Sequence, residues 1–328
     1  MSTRALIVNL SCAAALLLQP AYSDPAPALR ALRYVPGSVQ AAEAWQRDLR
    51  EKLFGLLQLD DLVASPGSIP FAEQIVDEKA GDGYRLQTIE IQSTPARRLR
   101  AVLALPDAPA QGGHPAVVAI HGHGGTMNTP FDLEQDIYKN FGIALARAGF
   151  VVISTNVGQH DVYEPGRTLM GERLWDLIRC VDYLAARTDV NSQRIGCAGL
   201  SLGGEMAMWL AAMDTRIRAT VSAGFLTVMD QMEQNHCMCW KFDGLRELVD
   251  FADLYAMAAP RALQCQNGRL EPETQFTVAL AEKALAEIRP AYSDLGAREK
   301  LELHLHDGGH EIALDAMLKF LTQSLPRQ

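Results

Sequence analysis

From about residue 115 onward, the chain alternates between short apolar runs and amphipathic stretches with helical spacing. The apolar runs of strand length are residues 116–120, 150–154, 194–198, 219–225, 262–266 and 301–306. The stretches with helical spacing are residues 133–148, 171–187, 204–213, 274–288 and 312–325. Strands that alternate with helices form βαβ units, so the pattern predicts an α/β fold with a mostly parallel sheet and helices on both faces. Functional residues are then expected beyond the carboxyl ends of the strands.

The region before residue 115 has a different pattern. Four leucines recur at helical spacing between residues 39 and 59, which predicts one N-terminal helix. Strand-like runs follow at residues 71–79, 84–92 and 99–105. Gly81-Asp82-Gly83 separates the first two runs and has the composition of a hairpin turn. The sheet is therefore expected to begin with antiparallel strands.

Residues 1–23 have the features of a secretory signal peptide. Arg4 is followed by an apolar run from Ala5 to Leu18, and Ala21-Tyr22-Ser23 offers a cleavage site before Asp24. The run is shorter than the roughly 20 residues that a membrane span needs, and the remaining sequence has no second apolar stretch long enough to cross a bilayer. The alternative is a buried N-terminal helix. The order of charge, apolar run and small residues favours the signal peptide and predicts a secreted or periplasmic protein.

The remaining chain divides into residues 24–70, an N-terminal helical segment, and residues 71–328, one α/β domain. Within that domain, residues 226–258 are too many for a simple loop and predict a small cap insertion. Trp240 and Phe242 lie in this insertion. They could line a substrate pocket, or they could pack the cap onto the body of the domain.

Net charge and cysteine content indicate which classes of partner and ligand to expect. The net charge is −9 and the pI is near 5.4, which argues against a nucleic-acid partner. Cys197 and Cys265 lie in apolar runs and are expected to be core residues. Cys237-x-Cys239 has no second pair in the sequence, so no zinc site is predicted there. No metal and no cofactor are expected, and nothing in the sequence specifies an oligomeric state.

Ser201 lies at the centre of Gly199-Leu200-Ser201-Leu202-Gly203. A Gly-x-Ser-x-Gly pattern alone is common enough to arise by chance. Here it follows the apolar run 194–198 and precedes the helical stretch 204–213. That strand–turn–helix setting is the one a nucleophile elbow requires, and glycines beside the serine leave room for close backbone approach. The context predicts Ser201 as a nucleophile.

A nucleophilic serine needs a histidine base, and the base needs a carboxylate that orients it. On this kind of fold the chain order is serine, then acid, then histidine. His310 follows the last predicted strand through a glycine-rich loop, which makes it the candidate base. Glu271 follows the preceding strand and is the candidate acid. Glu273 and Asp230 are the alternatives for that role.

The loop His121-Gly122-His123-Gly124-Gly125 comes directly after the apolar strand 116–120. A loop at this place in the fold usually supplies one backbone N–H to the oxyanion. His123 or Gly124 is the candidate donor, and the sequence does not distinguish them. The second donor is the N–H of Leu202, the residue after the nucleophile.

Taken together, these motifs resemble the α/β-hydrolase superfamily, and in particular its acetyl-xylan-esterase and dienelactone-hydrolase-like branch. The likeness runs from about residue 70 to the end and includes the His121–Gly125 loop, the Ser201 elbow and Gly308-Gly309-His310-Glu311. This sequence departs from the family pattern at the candidate acid, where it has Glu271-Pro272 and the family has Asp-Pro. The serine argues against true dienelactone hydrolase activity, which uses cysteine.

The resemblance implies a serine esterase that cleaves acetyl or other small acyl esters, often on polysaccharide. A small-molecule or polysaccharide ester is then the expected partner. Two other functions fit the same residues. One is a peptidase of the prolyl-oligopeptidase type, although such enzymes normally carry a large β-propeller for which about 70 preceding residues are too few. The other is a catalytically silent binding protein on the same fold.

Overall fold

The computed structural model describes residues 29–65, 67–134, 136–234 and 236–326. The signal peptide expected at residues 1–23 lies outside these ranges. The strands within these ranges are β1 (Gln74–Ala80), β2 (Tyr84–Gln92), β3 (Arg98–Pro106), β4 (His114–Ile120), β5 (Val151–Thr155), β6 (Val190–Leu200), β7 (Ile217–Ala223), β8 (Ala262–Gly268) and β9 (Leu301–His306). These nine described strands form one sheet in the order β1-β2-β3-β5-β4-β6-β7-β8-β9.

The first three strands are antiparallel, as the sequence predicts. The β1–β2 hairpin turns at residues 81–83, where Gly81 donates its N–H to the carbonyl of Tyr84 and Gly83 has a φ of +82°. β3 pairs with β2 and with β5, in both cases antiparallel. β1 is exposed along its length because it forms one edge of the sheet.

From β4 onward every pairing is parallel. All seven residues of β4 are buried, and successive side chains enter opposite faces: Val117 belongs to one apolar cluster and Val118 to the other. Such two-sided burial is typical of the central strands of a parallel sheet covered by helices. The prediction of a mixed sheet inside two helical layers is confirmed.

The helices divide between the two faces. The described helices are α1 (Val39–Leu56), α2 (Asp60–Val63), α3 (Phe141–Arg147), α4 (Leu169–Ala186), α5 (Leu202–Met213), α6 (Met229–Met232), α7 (Leu245–Leu248), α8 (Phe251–Ala256), α9 (Val278–Asp294) and α10 (Leu314–Ser324). Residues of α3 and α10 join the core cluster on one face, whereas residues of α1, α4, α5, α8 and α9 join the cluster on the other face.

The prediction of a helix over residues 133–148 is wrong for the first half of that range. Among the described residues of this range, only Phe141–Arg147 are helical. Leu133 and Ile137, which supplied the helical spacing, are 69% and 43% exposed and do not face the core. Asn140 has a φ of +43°, a left-handed conformation that no continuing helix can contain. The helix therefore begins where its apolar face first meets the sheet.

The described residues of the 226–258 segment form three short helices, α6 to α8, and one 3₁₀ turn at Met238–Trp240. The N-terminal segment holds this region: backbone N–H groups of residues 30–32 donate to carbonyls of residues 246–248. Arg30 also pairs with Asp253 at 2.9 Å. The 226–258 segment is thus held by residues 30–32 of the N-terminal segment. In the part of the chain that the structure describes, no helix is long and apolar enough to cross a membrane.

Candidate active site

Ser201 stands between β6 and α5 with φ +62° and ψ −122°, a conformation that non-glycine residues rarely adopt. The residues two positions before and two positions after it must be glycines. A Cβ on Gly199 would lie 2.4 Å from the carbonyl oxygen of Gly203, and one on Gly203 would lie 2.2 Å from that of Ile120. The strained turn leaves the Ser201 side chain partly exposed at the carboxyl edge of the sheet. The geometry is that of a nucleophile elbow.

His310 lies in the loop after β9, and Glu271 in the loop after β8. The imidazole Nδ1 is 3.0 Å from each of the two carboxylate oxygens of Glu271. The Glu271 side chain is only 1% exposed, whereas that of His310 is 26% exposed. A buried carboxylate that accepts from Nδ1–H keeps the Nε2 lone pair of the ring free.

The other two carboxylates considered for this place are elsewhere. Asp230 is exposed and pairs with Arg246 at 2.6 Å. Glu273 is exposed in the loop that follows Glu271. Among the residues that the structure describes, Glu271 is the carboxylate that contacts His310. The position of Glu271 supports its choice as the acid of the triad.

The His310 ring lies against the end of β7, the strand next to the one that ends at Ser201. The Ser201 N–H donates to the carbonyl of Ala223, the last residue of β7, at 2.9 Å. The next residue is Gly224, with φ +58°, and a Cβ there would lie 2.8 Å from the His310 Cε1. Glycine at 224 therefore lets the imidazole approach the backbone beside the serine. No pattern in the sequence indicates this role of Gly224.

A second feature that sequence reasoning missed is Phe276, which holds the His310 ring from its face. The two rings are stacked with centroids 5.5 Å apart and an interplanar angle of 19°. Phe276 is fully buried, and its carbonyl accepts a hydrogen bond from Asn267 in β8. The imidazole is thus fixed by Glu271 at its edge and by Phe276 at its face.

The loop after β4 is held by two side chains. Tyr138 Oη accepts the N–H of Gly122 at 2.8 Å. His121 is buried, its Nε2 accepts the N–H of Val157 at 3.1 Å, and its Nδ1 therefore donates to the carbonyl of Gly122 at 2.8 Å. A Cβ on Gly122 would lie 3.2 Å from the Ser201 Cβ, which places this loop directly beside the nucleophile.

The N–H groups expected to bind an oxyanion are available. Leu202 is the first residue of α5, so its N–H has no acceptor within the helix. Within the described chain, no hydrogen bond engages the N–H of His123 or of Gly124. Both candidates from the loop stay open, and the role of each N–H stays a prediction.

Trp240 and Phe242 differ in their surroundings. Trp240 is 1% exposed and its ring lies 5.3 Å from that of Phe251 in the core, which favours the packing alternative. Phe242 is half-buried and lines a cavity of about 610 Å³ together with Met238 and Cys239. A role for Phe242 in binding an acyl or sugar group stays a prediction.

Cys237 and Cys239 have neighbours that the sequence spacing did not reveal. The Cys239 Sγ lies 3.1 Å from the Nε2 of His123, and the Cys237 Sγ lies 3.3 Å from the Nε2 of His160. Burial, and then the charge of Arg173, lowers the pKa of His123 to about 4. Because the partners come from two other loops, the absence of a second cysteine pair was not a sufficient reason to expect no metal ligands here.

Three kinds of comparison relate this chain to known proteins. The sequence profile of the prolyl oligopeptidase family (Peptidase_S9) matches residues 136–250, about a third of the chain. YtaP of Bacillus subtilis, named as a hydrolase, is 24% identical over 226 residues, or 61% of this chain and 74% of YtaP. The 2,6-dihydropseudooxynicotine hydrolase of Paenarthrobacter nicotinovorans is 27% identical over 158 residues, or 47% of this chain and 40% of that protein.

Solved structures give a longer match. A Bacteroides fragilis protein assigned as an acetyl xylan esterase has a TM-score of 0.71 at 18% identity, covering 85% of this chain and 79% of that one. The methylesterase BT1017 has a TM-score of 0.70 at 21% identity, covering 88% of this chain and 65% of that one. A glucuronoyl esterase from Solibacter usitatus has a TM-score of 0.68 at 16% identity, covering 93% of this chain and 98% of that one.

These likenesses and the strand order show that the chain has the α/β-hydrolase fold. The resemblance inferred from the motifs is confirmed at this level, since acetyl xylan esterases are among the similar structures. A fold by itself does not determine an activity, which depends on the residues of the site.

Proposed function

We propose that this protein is a serine carboxylic-ester hydrolase in which Ser201, His310 and Glu271 form the catalytic triad. The observation that carries the proposal is the arrangement at the carboxyl edge of the sheet. A strained serine stands at the end of β6, and a histidine fixed by a buried carboxylate lies against the end of the adjacent strand. The chain order serine, acid, histidine agrees with this fold.

The first step forms an acyl-enzyme. His310 Nε2 takes the proton of the Ser201 hydroxyl while Oγ bonds to the ester carbonyl carbon. The carbonyl oxygen becomes an oxyanion, which the N–H of Leu202 and that of His123 or Gly124 stabilise. The carbon–oxygen bond to the alcohol then breaks, and His310 returns the proton to the leaving alkoxide.

The second step releases the acid. A water molecule gives a proton to His310 Nε2 as its oxygen bonds to the acyl carbon. When the tetrahedral intermediate collapses, Ser201 leaves and recovers the proton from His310. Glu271 keeps the Nδ1 proton in place and stabilises the imidazolium that forms in each step, without itself taking a proton. The chemistry needs no organic cofactor.

The substrate class proposed is a small acyl ester, in particular an acetyl ester, on carbohydrate. Support comes from the similar structures, which include esterases named for acetylated xylan and for glucuronoyl esters. The expected secretion signal at residues 1–23 would bring such an enzyme to extracellular polysaccharide.

The test is a fluorophosphonate probe together with an ester panel. The wild-type protein should be labelled and should hydrolyse p-nitrophenyl acetate, while Ser201→Ala should do neither. Loss of a triad member typically lowers the rate by about 10⁴-fold or more, so activity of the alanine variant within tenfold of wild type would refute the proposal. Acetylated xylan, methyl glucuronoyl esters and feruloyl esters would then rank the substrates.

A peptidase is the second candidate, because the profile that matches residues 136–250 belongs to the prolyl oligopeptidase family. The same triad would cleave an amide through the same acyl-enzyme. Prolyl p-nitroanilides compared with p-nitrophenyl esters would separate the two activities. A protein that the fluorophosphonate does not label would instead be the silent binding protein.

A further inference from the structure

Four metal-ligating side chains from three separate loops meet beside the candidate oxyanion loop. His123 follows β4, His160 follows β5, and Cys237 and Cys239 belong to the 226–258 segment. One ligand atom from each lies within 4.8 Å of the ligand atoms of the others. From this cluster we propose that the protein binds one zinc ion through His123 Nε2, His160 Nε2 and the two cysteine thiolates.

The distances suit a tetrahedral site. Zinc bonds of about 2.3 Å to sulfur and 2.0–2.1 Å to nitrogen place neighbouring ligand atoms roughly 3.3–3.8 Å apart. The His123–Cys239 and His160–Cys237 pairs lie at 3.1 and 3.3 Å, and the remaining separations are at most 4.8 Å. Side-chain movements of about 1 Å therefore complete the coordination.

The chemistry of the donors selects the metal. Two thiolates and two imidazoles are a preferred structural set for Zn²⁺, whereas Mg²⁺ and Ca²⁺ prefer oxygen. The two cysteines are free thiols, and His160 and Cys237 are exposed, so an ion can enter from solvent. Four protein ligands leave no open position for water, which makes the zinc structural rather than catalytic.

A buried cation supports the thiolate at Cys239. Arg173 on α4 is fully buried, and its Nη1 lies 3.5 Å from the Cys239 Sγ. Its other contacts are the thioether sulfur of Met170 and the carbonyl oxygen of Gln159. Among the described residues no carboxylate forms a salt bridge with Arg173, and the Cys239 sulfur is one of three groups that its guanidinium contacts. Donors of this kind orient and stabilise metal-bound thiolates.

The proposed zinc would connect the 226–258 segment to the loop beside Ser201. His123 would contribute its side chain to the metal, while its backbone N–H or that of Gly124 would face the oxyanion. The ion would therefore stiffen the loop in which the candidate donor lies. This consequence for catalysis rests on the proposed function, whereas metal binding does not.

The decisive experiment is metal analysis of the full chain, purified with a tag that contains no histidine. We expect about one zinc per chain by elemental analysis. Replacement by Co²⁺ should produce the intense visible bands of a tetrahedral site and the sulfur-to-cobalt charge transfer of thiolate ligands. The Ser201→Ala protein should bind the metal equally, so failure of the esterase proposal would leave this result intact.

Variants assign the ligands. Cys237→Ser, Cys239→Ser and His160→Ala should each weaken zinc affinity by at least about 100-fold, more than loss of an outer-shell contact. His236→Ala is the matched control, because its ring centroid lies 6.4 Å from that of His123 but its nitrogens are outside the ligand set. That variant should retain the metal.

Three results would overturn the proposal. The first is reduced wild-type protein that takes up no zinc or cobalt on titration. The second is a Cys237–Cys239 disulfide in the protein as isolated, detected by mass spectrometry. The third is a Cys237→Ser, Cys239→Ser double variant that is folded by circular dichroism and binds zinc as tightly as wild type.

Discussion

The Nδ1 of His310 lies 3.0 Å from both carboxylate oxygens of Glu271, a residue whose side chain is 1% exposed. This pair joins the loops after β8 and β9, the last two strands of the sheet. Glutamate is one methylene longer than the aspartate of the resembled family. The structure shows that the longer side chain reaches the imidazole with both oxygens from its position before Pro272.

Glu271→Gln should lower kcat by about 10³–10⁴-fold with little change in KM, because an amide cannot fix the tautomer or stabilise the imidazolium. Glu271→Asp should lower kcat by about 100-fold, since the shorter side chain displaces the contact by roughly 1 Å. Hydrolysis of p-nitrophenyl acetate measures both. The exposed neighbour supplies the control: Glu273→Gln should behave as wild type. If the kcat of Glu271→Gln stayed within tenfold of wild type, the acid of the triad would be a residue other than Glu271.

Tyr138→Phe should lower kcat by about tenfold, because the N–H of Gly122 loses its acceptor and the loop beside Ser201 loses its anchor. The unpaired N–H should also reduce the free energy of unfolding by about 1–3 kcal/mol. Steady-state kinetics and urea unfolding test these effects. Tyr84→Phe is the comparison, since among the described residues no hydrogen bond reaches its hydroxyl and it begins β2, at the edge of the sheet opposite the site. If Tyr138→Phe and Tyr84→Phe had the same kcat and the same free energy of unfolding, Tyr138 would not anchor the loop.

Glu205 makes stability depend on pH. It lies on α5 with one carboxylate oxygen buried and without a partner in the described structure. Burial raises its pKa from 4.5 to about 8, although the charge of Arg173 lowers it. The folded state thus holds the proton more tightly than the unfolded state. The stabilisation is complete below pH 4.5 and is lost as the pH rises toward 8.

Glu205→Gln should remove this dependence. Compared with wild type, the variant should gain stability between pH 5 and 8, by at most about 5 kcal/mol for a shift of this size. Urea unfolding at a series of pH values measures the difference, and Glu299→Gln provides an exposed control. Parallel pH profiles for wild type and Glu205→Gln would contradict the assignment.

Trp240→Ala should reduce the free energy of unfolding by about 3–5 kcal/mol, because it opens a cavity against Phe251 in the core. Trp240→Phe should cost far less. It keeps an aromatic ring and removes an indole N–H that is buried without a partner in the described structure. Thermal unfolding measures the change in Tm, and steady-state kinetics on the same variants measures the change in KM. A change confined to KM, with an unchanged Tm, would instead place Trp240 in a substrate pocket.

The predictable part of the site follows from local rules. The Ser201 elbow was recognisable because its strand, turn and helix are contiguous, and each has its own periodicity and glycine requirement. Chain order predicts His310 as the base and Glu271 as the acid, since the carboxyl ends of parallel strands share one edge of the sheet. The predicted helix start near residue 133 is wrong because spacing alone does not show which apolar residues face the core.

By itself, then, the sequence determined the class of fold, the elbow and the order of the candidate triad, because these depend on short-range patterns of apolar residues and glycine. Only the tertiary structure decided which carboxylate meets His310, and it alone placed Phe276, Tyr138 and Gly224 around the site. It also brought His123 and His160 to the two cysteines. These contacts join residues far apart in the chain, and no local periodicity records which loops the folded sheet will bring together.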